Sequence, residues 1–306
     1  MDNQTHICKE CSQEFNSEKS LHAHLKAHKI SIAGYYQKFY PRTDLLTGEI
    51  IEFKNKERYF DSDFLNKNNM KKWLKAQPPE VVKDFCKKIL ERRIEKKNLK
   101  YSPTQVELRS VMSPPVGYYD AIFGDYLGLC ISLGLDNRFK RRENKPVNSP
   151  VSHIKVDTRE NKTLKLKLPI QVETLEFGDY ACDNSDCYFE RKSLPDFIGT
   201  LGQGFDRFSN ECERAGYAKK QLVVLVESKI DDALAFNYLP WISKRIKATP
   251  EYIFHNVREI LQRYPHVQFL FVDGRPESVR IIEKVFSQNI SVQEFDLQLY
   301  YDLGKL

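Results

Sequence analysis

A chain of 306 residues with 41% hydrophobic and 29% charged residues is long enough for two or three folded domains and too apolar to be a disordered one. No apolar run approaches the ~20 residues of a membrane-spanning helix, and Met1-Asp2-Asn3-Gln4 lacks the regions of a secretion signal. An intracellular protein is expected, in the cytoplasm of a prokaryote or a virus-infected host or in a nucleus, neither secreted nor bound to a membrane. The net charge of +6 is uneven: residues 1–150 hold 27 Lys and Arg against 19 Asp and Glu, and residues 151–306 hold 21 against 23. A basic first half suggests polyanion binding there and another task in the second half.

Residues 1–30 form a cysteine/histidine unit. Cys8-x2-Cys11-x12-His24-x3-His28 supplies four metal ligands, with the two cysteines on a hairpin knuckle and His24 and His28 on one helix face. Phe15 and Leu21 stand at the apolar positions between them, and a unit this small needs metal to fold. The spacing resembles a Cys-Cys-His-His zinc finger throughout residues 8–28, which implies a structural Zn2+ and a ββα fold. In such fingers the helix reads about three base pairs; here Lys19 and His22 are the candidate DNA contacts. The unit followed by Tyr35-Tyr36 also resembles fingers of phage-type nucleases.

Residues 31–100 are first polar and aromatic, then basic and helical. Val82, Phe85, Cys86, Ile89, Leu90 and Ile94 predict an amphipathic helix over 79–97, with Lys83, Lys87, Lys88, Arg92, Arg93, Lys96 and Lys97 on its other face. Residues 101–136 form a small helical segment: a helix starts at Ser102-Pro103-Thr104, Pro114-Pro115 breaks the chain, and a second helix runs from Tyr119 to Leu133 with Gly134 as its cap. Pro103-Thr104-Gln105-x-Glu107-Leu108, Tyr119-Asp120, Phe123-Gly124-Asp125-Tyr126 and Leu133-Gly134-Leu135 resemble the helical repeat found beside homing-endonuclease domains, which implies an accessory DNA-binding role. Residues 137–150 read as a basic linker, with Arg141 and Arg142 as candidate DNA contacts.

From 151 to 306, strands alternate with helices, the pattern of an α/β domain with a mixed sheet. Strands are expected at 154–157, 170–175, 187–191, 222–227 and 267–272, and helices around 194–216, 249–263 and 275–287. Within this region stand Asp157-Thr158-Arg159-Glu160, Gly178-Asp179, Glu190-Arg191-Lys192 and Asp196. Strand alternation puts Glu190 and Lys192 on one face and Arg191 on the other. A carboxylate and an amine so placed suit a divalent metal, with Asp179 as a second oxygen ligand at the end of the preceding strand. Lys192 is then placed to position a water or to stabilise developing negative charge. Ser193 to Asp196 has the form of a helix capping box, which gives Asp196 a supporting place behind the site. Gly202-Gln203-Gly204 reads as a tight turn near the site, with Arg207 as a candidate phosphate contact.

Gly178-Asp179, Glu190-Arg191-Lys192 and Asp196 resemble the signature of the XPF-type nuclease domain, a branch of the PD-(D/E)xK endonucleases, and the likeness extends over residues 153–290. It implies a restriction-endonuclease-like mixed sheet flanked by helices and Mg2+- or Mn2+-dependent cleavage of DNA. Asp179 and Glu190 would be the metal ligands with Asp157 nearby, Lys192 the catalytic lysine, and Arg159, Glu160 and Arg191 supporting residues. No Gly-rich ATP loop is present and about 20 residues follow the last expected helix, so the helicase or tandem helix-hairpin-helix module of XPF relatives is not expected. The substrates implied are flap, fork or junction DNA. A free-standing homing-type endonuclease cutting duplex at a preferred site and a non-catalytic nucleic-acid-binding protein are the alternatives. Pairing of two copies through the nuclease domain is also implied, with Val279, Ile282, Val285 and Phe286 available either for that contact or for the core.

Overall fold

A computed structural model describes residues 5–41, 50, 52, 78–111, 113–139, 151–183 and 185–306. Arg141 and Arg142, with the rest of 140–150, lie outside the described residues. The chain divides into two compact units, residues 1–96 with 111–114 and residues 97–110 with 115–306.

In the first unit a two-stranded antiparallel hairpin, β1 (His6–Ile7) and β2 (Glu14–Phe15), precedes α1 (Glu18–His24). Ser17 caps α1 by accepting the Ser20 N–H at 3.1 Å, which satisfies an otherwise orphaned donor. The α-helix ends at His24 and tightens into a 3-10 turn over Leu25–His28, so His28 is reached by a narrower turn than the single helix expected. Next, α2 (Ile32–Phe39) closes over the finger. Tyr35 is buried with Cys8, Leu21 and Leu25 in one small core, and its hydroxyl accepts the Lys9 N–H at 2.9 Å. The basic helix is α3 (Pro79–Lys97). It buries Val82, Cys86, Ile89, Leu90 and also Arg93, which was expected on the polar face. At i, i+4, i+7 and i+11 from Val82, helical geometry places Arg93 on the apolar stripe.

The second unit begins with three short helices, α4 (Gln105–Ser110), α5 (Val116–Phe123) and α6 (Tyr126–Ser132). The helix expected over 119–133 is thus two, because Gly124 turns left-handed at φ +79° and ends α5. Thr104 and Glu107 form a reciprocal capping box, with Thr104 N–H to Glu107 Oε2 at 2.8 Å and Glu107 N–H to Thr104 Oγ1 at 3.3 Å.

The sheet has six strands in the order β4-β3-β5-β6-β7-β8. These are β3 (Ile154–Asp157), β4 (Ile170–Glu173), β5 (Tyr180–Ala181), β6 (Cys187–Lys192), β7 (Gln221–Val226) and β8 (Val267–Phe271). Strands β6, β7 and β8 run parallel, β5 is antiparallel to both β3 and β6, and β4 lies parallel to β3 at the edge. Strands β7 and β8 are buried on both faces, which is why Leu222–Val226 reads as a continuous apolar run and Val267–Phe271 as one broken only by Gln268. The short β5 went unseen in the sequence: two residues carry no period.

Helices cover both faces. One face holds α7 (Leu194–Leu201), α8 (Phe205–Tyr217), α9 (Ile230–Leu234) and α10 (Pro250–Arg263), whose Phe197, Phe208, Ile230 and Phe254 pack with Val224 and Phe269. The other holds α11 (Arg275–Ser287) and α12 (Leu297–Asp302), whose Ile281 and Leu297 pack with Phe189, Leu225 and Leu270. A single helix was expected over 194–216. Gly202 divides it: a Cβ there would stand 2.8 Å from the Ile198 carbonyl oxygen. Ile282, Val285 and Phe286 are buried in the unit's own core, which removes them from the surface offered to a second copy. Among the described residues no helix is long and apolar enough to cross a membrane.

The small helical segment is built into this unit. Gln262 of α10 accepts the Lys100 and Tyr101 N–H groups at 3.1 and 3.0 Å and donates to Glu107 at 2.7 Å. The buried Asp296 accepts the Gln105 N–H at 2.6 Å and caps α12 through Leu299 N–H at 3.0 Å. Arg109 reaches Asp302 at 3.0 Å and Asp231 at 2.5 Å.

Candidate active site

Strand β6 carries the centre of the site, and its alternation sorts the side chains. Cys187 and Phe189 face the α11 side, so Tyr188, Glu190 and Lys192 face the α7–α8 side. Lys192 Nζ makes a short ion pair with Glu190 Oε1. Arg191 turns to the opposite face, where Nη1 meets Glu227 at 2.9 Å and Nη2 meets Glu160 at 3.1 Å.

Asp179 is brought to Glu190 by the β5–β6 hairpin. It lies just before β5, so it begins a strand; the expectation placed it at the end of one. Its N–H donates to the Phe189 carbonyl at 2.7 Å, its carbonyl accepts from Asp157 N–H at 2.9 Å, and its Oδ2 accepts from Arg191 N–H at 2.7 Å. Gly178 makes this approach possible. It has φ +58°, and a Cβ there would stand 2.7 Å from the Phe189 oxygen. Gly178→Ala is expected to cost about 2–4 kcal/mol and to displace Asp179. Denaturant unfolding checks this; a loss under about 0.5 kcal/mol would show that the hairpin yields.

Burial, and then the charge of Glu190, push the Asp179 carboxyl up to about 7. Burial works against the Lys192 ammonium, but Glu190 and Asp179 outweigh it and its pKa stands above the ordinary lysine value. A third carboxylate, Glu211 on α8, is also raised, first by burial and then by Glu190; it accepts the Gly178 N–H and feels Lys192. Glu211 was not identified in the sequence. The only signal was its place beside the apolar stripe of Phe208, Cys212 and Ala215. Glu227, just past β7, was missed for a similar reason: it reads as the end of an apolar run.

Asp157 is differently employed. Oδ1 accepts the Arg159 N–H and Nε, each at 2.7 Å, and Oδ2 accepts Arg159 Nη2 and Leu175 N–H, each at 2.8 Å. Four donors occupy the four lone-pair sites of a carboxylate. The geometry makes Asp157 a brace between the end of β3 and the chain at Leu175. The Arg159 guanidinium holds its carboxyl down at about 2. A depressed acid contributes stability that is complete above the ordinary carboxylate range and is lost as pH falls through about 2. Asp157→Ala leaves buried donors unsatisfied and is expected to cost about 3 kcal/mol at neutral pH, roughly 6–12 °C in Tm. Thermal melts in metal-free buffer check this; an unchanged Tm would show that Asp157 is no brace.

The remaining candidates are placed as follows. Ser193 Oγ accepts Asp196 N–H at 3.3 Å and donates to Asp196 Oδ2 at 2.6 Å, so Asp196 sits in a capping box at the start of α7. Arg207 is exposed on the first turn of α8. Lys19 is exposed on α1, whereas His22 is tied back, with Nε2 3.1 Å from the Tyr36 hydroxyl and 3.6 Å from Glu18. Cys182 and Cys187 are buried and joined in no disulfide, and burial pushes the Cys187 thiol upward.

In the first unit, Cys8, Cys11, His24 and His28 bring one ligand atom each to within 4.8 Å of one another. Cys11 Sγ lies 3.2 Å from His24 Nε2, Cys8 Sγ 3.6 Å from His28 Nε2, and the two Nε2 atoms 2.9 Å apart. Four soft or borderline donors converging so closely fit a tetrahedral Zn2+. Among the described residues this is the one cluster with three or more such ligand atoms together. The carboxylates at β5 and β6 are a pair, the number that Mg2+ takes from protein while water and substrate oxygens complete its shell.

Residues 156–285 match the ERCC4 domain family, and residues 5–31 match a C2H2-type zinc finger. Among solved structures, XPF from Aeropyrum pernix is similar at 16% identity over 50% of this chain and 69% of that one, with a TM-score of 0.35. The same protein in complex with DNA is similar at 17% identity over 50% and 72%, again at 0.35. Among curated proteins no significant match is found.

Proposed function

For a chain that carries an ERCC4 domain, the XPF-type nuclease domain, and an N-terminal C2H2-type zinc finger, we propose a divalent-metal-dependent DNA endonuclease acting on flap, fork or junction DNA. The observation that carries this reading is the Asp179–Glu190 pair, two partly buried carboxylates placed so that the charge of Glu190 raises Asp179. Mg2+ or Mn2+ held by Asp179 and Glu190 would lower the pKa of a bound water and shield charge on the scissile phosphate. Lys192, paired with Glu190, would donate hydrogen bonds to negative oxygen as charge develops there. Arg191, clamped between Glu160 and Glu227, fixes β6 and offers its own N–H to Asp179. The finger would hold a structural Zn2+ and dock on DNA, with Lys19 outward.

Flap, fork, junction and plain duplex DNA, each offered with Mg2+ or Mn2+, test the proposal. Cleavage of the branched substrates over plain duplex is expected. If wild type cuts none of them, the reading fails; cutting confined to one duplex sequence would favour the homing-type alternative.

A further inference from the structure

A groove of about 890 Å3 opens beside the candidate active site on the same unit. One wall is α7, with Pro195, Gly199 and Gly202; the other is the segment entering α10, with Arg245, Lys247 and Tyr252. We propose that this groove is a binding site for a single-stranded arm of the DNA substrate, a role that rests on the endonuclease reading for where the strand comes from.

The groove starts close to the reacting strand. Helix α7 begins two residues after Lys192, and Pro195 in its first turn already lines the groove. Eight helical residues span roughly 12 Å, so the groove leads away from the reacting end of β6 by about that length. The groove is also basic. Arg245 and Lys247 are exposed, no ion pair joins either to a carboxylate among the described residues, and the lining contains no Asp or Glu. Two unpaired cations thus face an acid-free channel on the acidic half of the chain.

The floor and the ring choose the occupant. A Cβ at Gly199 would meet nothing within 4 Å. The fold therefore does not demand glycine there, and the absent side chain leaves room for a backbone in the groove. Tyr252 is 50% exposed on the first turn of α10, which Thr249 fixes by accepting the Tyr252 N–H at 3.3 Å. An exposed aromatic ring lining the same groove as two cations is the combination that holds single strands, by stacking on bases and pairing with phosphates. A channel walled on both sides admits one sugar–phosphate backbone more readily than a duplex, and an acidic peptide would leave the ring unused.

The full chain, with zinc and without Mg2+ or Mn2+, is titrated into labelled oligothymidylate of about 12 nucleotides and into a duplex of equal length. In Arg245→Ala/Lys247→Ala the single-strand affinity is expected to fall at least tenfold and the duplex affinity less than twofold. The salt slope for the single strand should shrink by about 1.4, two phosphates' worth. Gly199→Glu, with its melting curve as the folding control, should reproduce the loss. Photocrosslinking from 5-iododeoxyuridine should fall on the peptide containing Tyr252. Unchanged single-strand affinity, equal loss for duplex, displacement by polyglutamate as effective as by oligothymidylate, or crosslinks confined to other peptides would each overturn the proposal. Because binding is read without a catalytic metal, its failure is separate from a failure to cut.

Discussion

Asp179→Asn is expected to abolish cleavage, by about 10³-fold or more, while making the metal-free protein more stable. The amide still accepts the Arg191 N–H, so the hairpin keeps its tie. What it removes is a carboxylate whose pKa is raised to about 7 by burial and by Glu190. An acid raised in the folded state binds an extra proton there between its ordinary value and the raised one, and the chain loses stability as pH climbs through that window. The advantage of the asparagine variant should therefore be small near pH 4 and grow toward pH 7, reaching about 1–3 kcal/mol. Mg2+ or Mn2+ reverses the order: it should raise the Tm of wild type by mass action and leave that of the variant nearly unmoved. Melts across pH, with and without metal, give both results. A variant that is destabilised at pH 7, or that gains as much from metal as wild type, would show that the pair does not hold a cation.

Removing zinc from the finger should unfold it. Its core is four side chains, Cys8, Leu21, Leu25 and Tyr35, far below what a metal-free unit of this size needs. Structural zinc in such units is worth about 10–16 kcal/mol, more than the remaining contacts supply. Cys8→Ser, or a strong chelator, should make residues 5–40 cleavable by protease and should lower zinc content from one equivalent toward none. Readdition of Zn2+ should restore protection in the chelated wild type but not in Cys8→Ser. Protection that persists in protein shown to be zinc-free would sink the assignment.

Much of this molecule is legible from spacing. The finger ligands are local, and the opposed faces of Glu190 and Arg191 follow from a period of two along one strand. The apolar runs at 222–226 and 267–271, the second broken only by Gln268, signal strands buried on both sides. What the sequence hid is what distant segments do to each other. Glu211 enters the site only because α8 packs back on the sheet, and Glu227 matters because β7 lies beside β6. Asp157 read as a neighbour of the metal; the structure ties it to Arg159 and Leu175, a use that no single strand pattern reveals. The division of α7 from α8 turns on one carbonyl at Ile198 that leaves no space for a Cβ at Gly202.

The pairing of β6 with β7 decides when the site exists. These strands are parallel and in register from Cys187–Gln221 to Lys192–Val226, and a parallel pair needs a crossover, here α7 and α8. A chain lacking β7 would still contain Gly178, Asp179, Glu190, Arg191 and Lys192, yet it would have neither the strand that fixes β6 nor Glu227 to hold Arg191. Non-local pairings form slowly because a long loop must close first. During synthesis the Gly178–Lys192 motif would therefore be complete some thirty residues before the candidate site could be, about the separation of Lys192 from its β7 partner Val226.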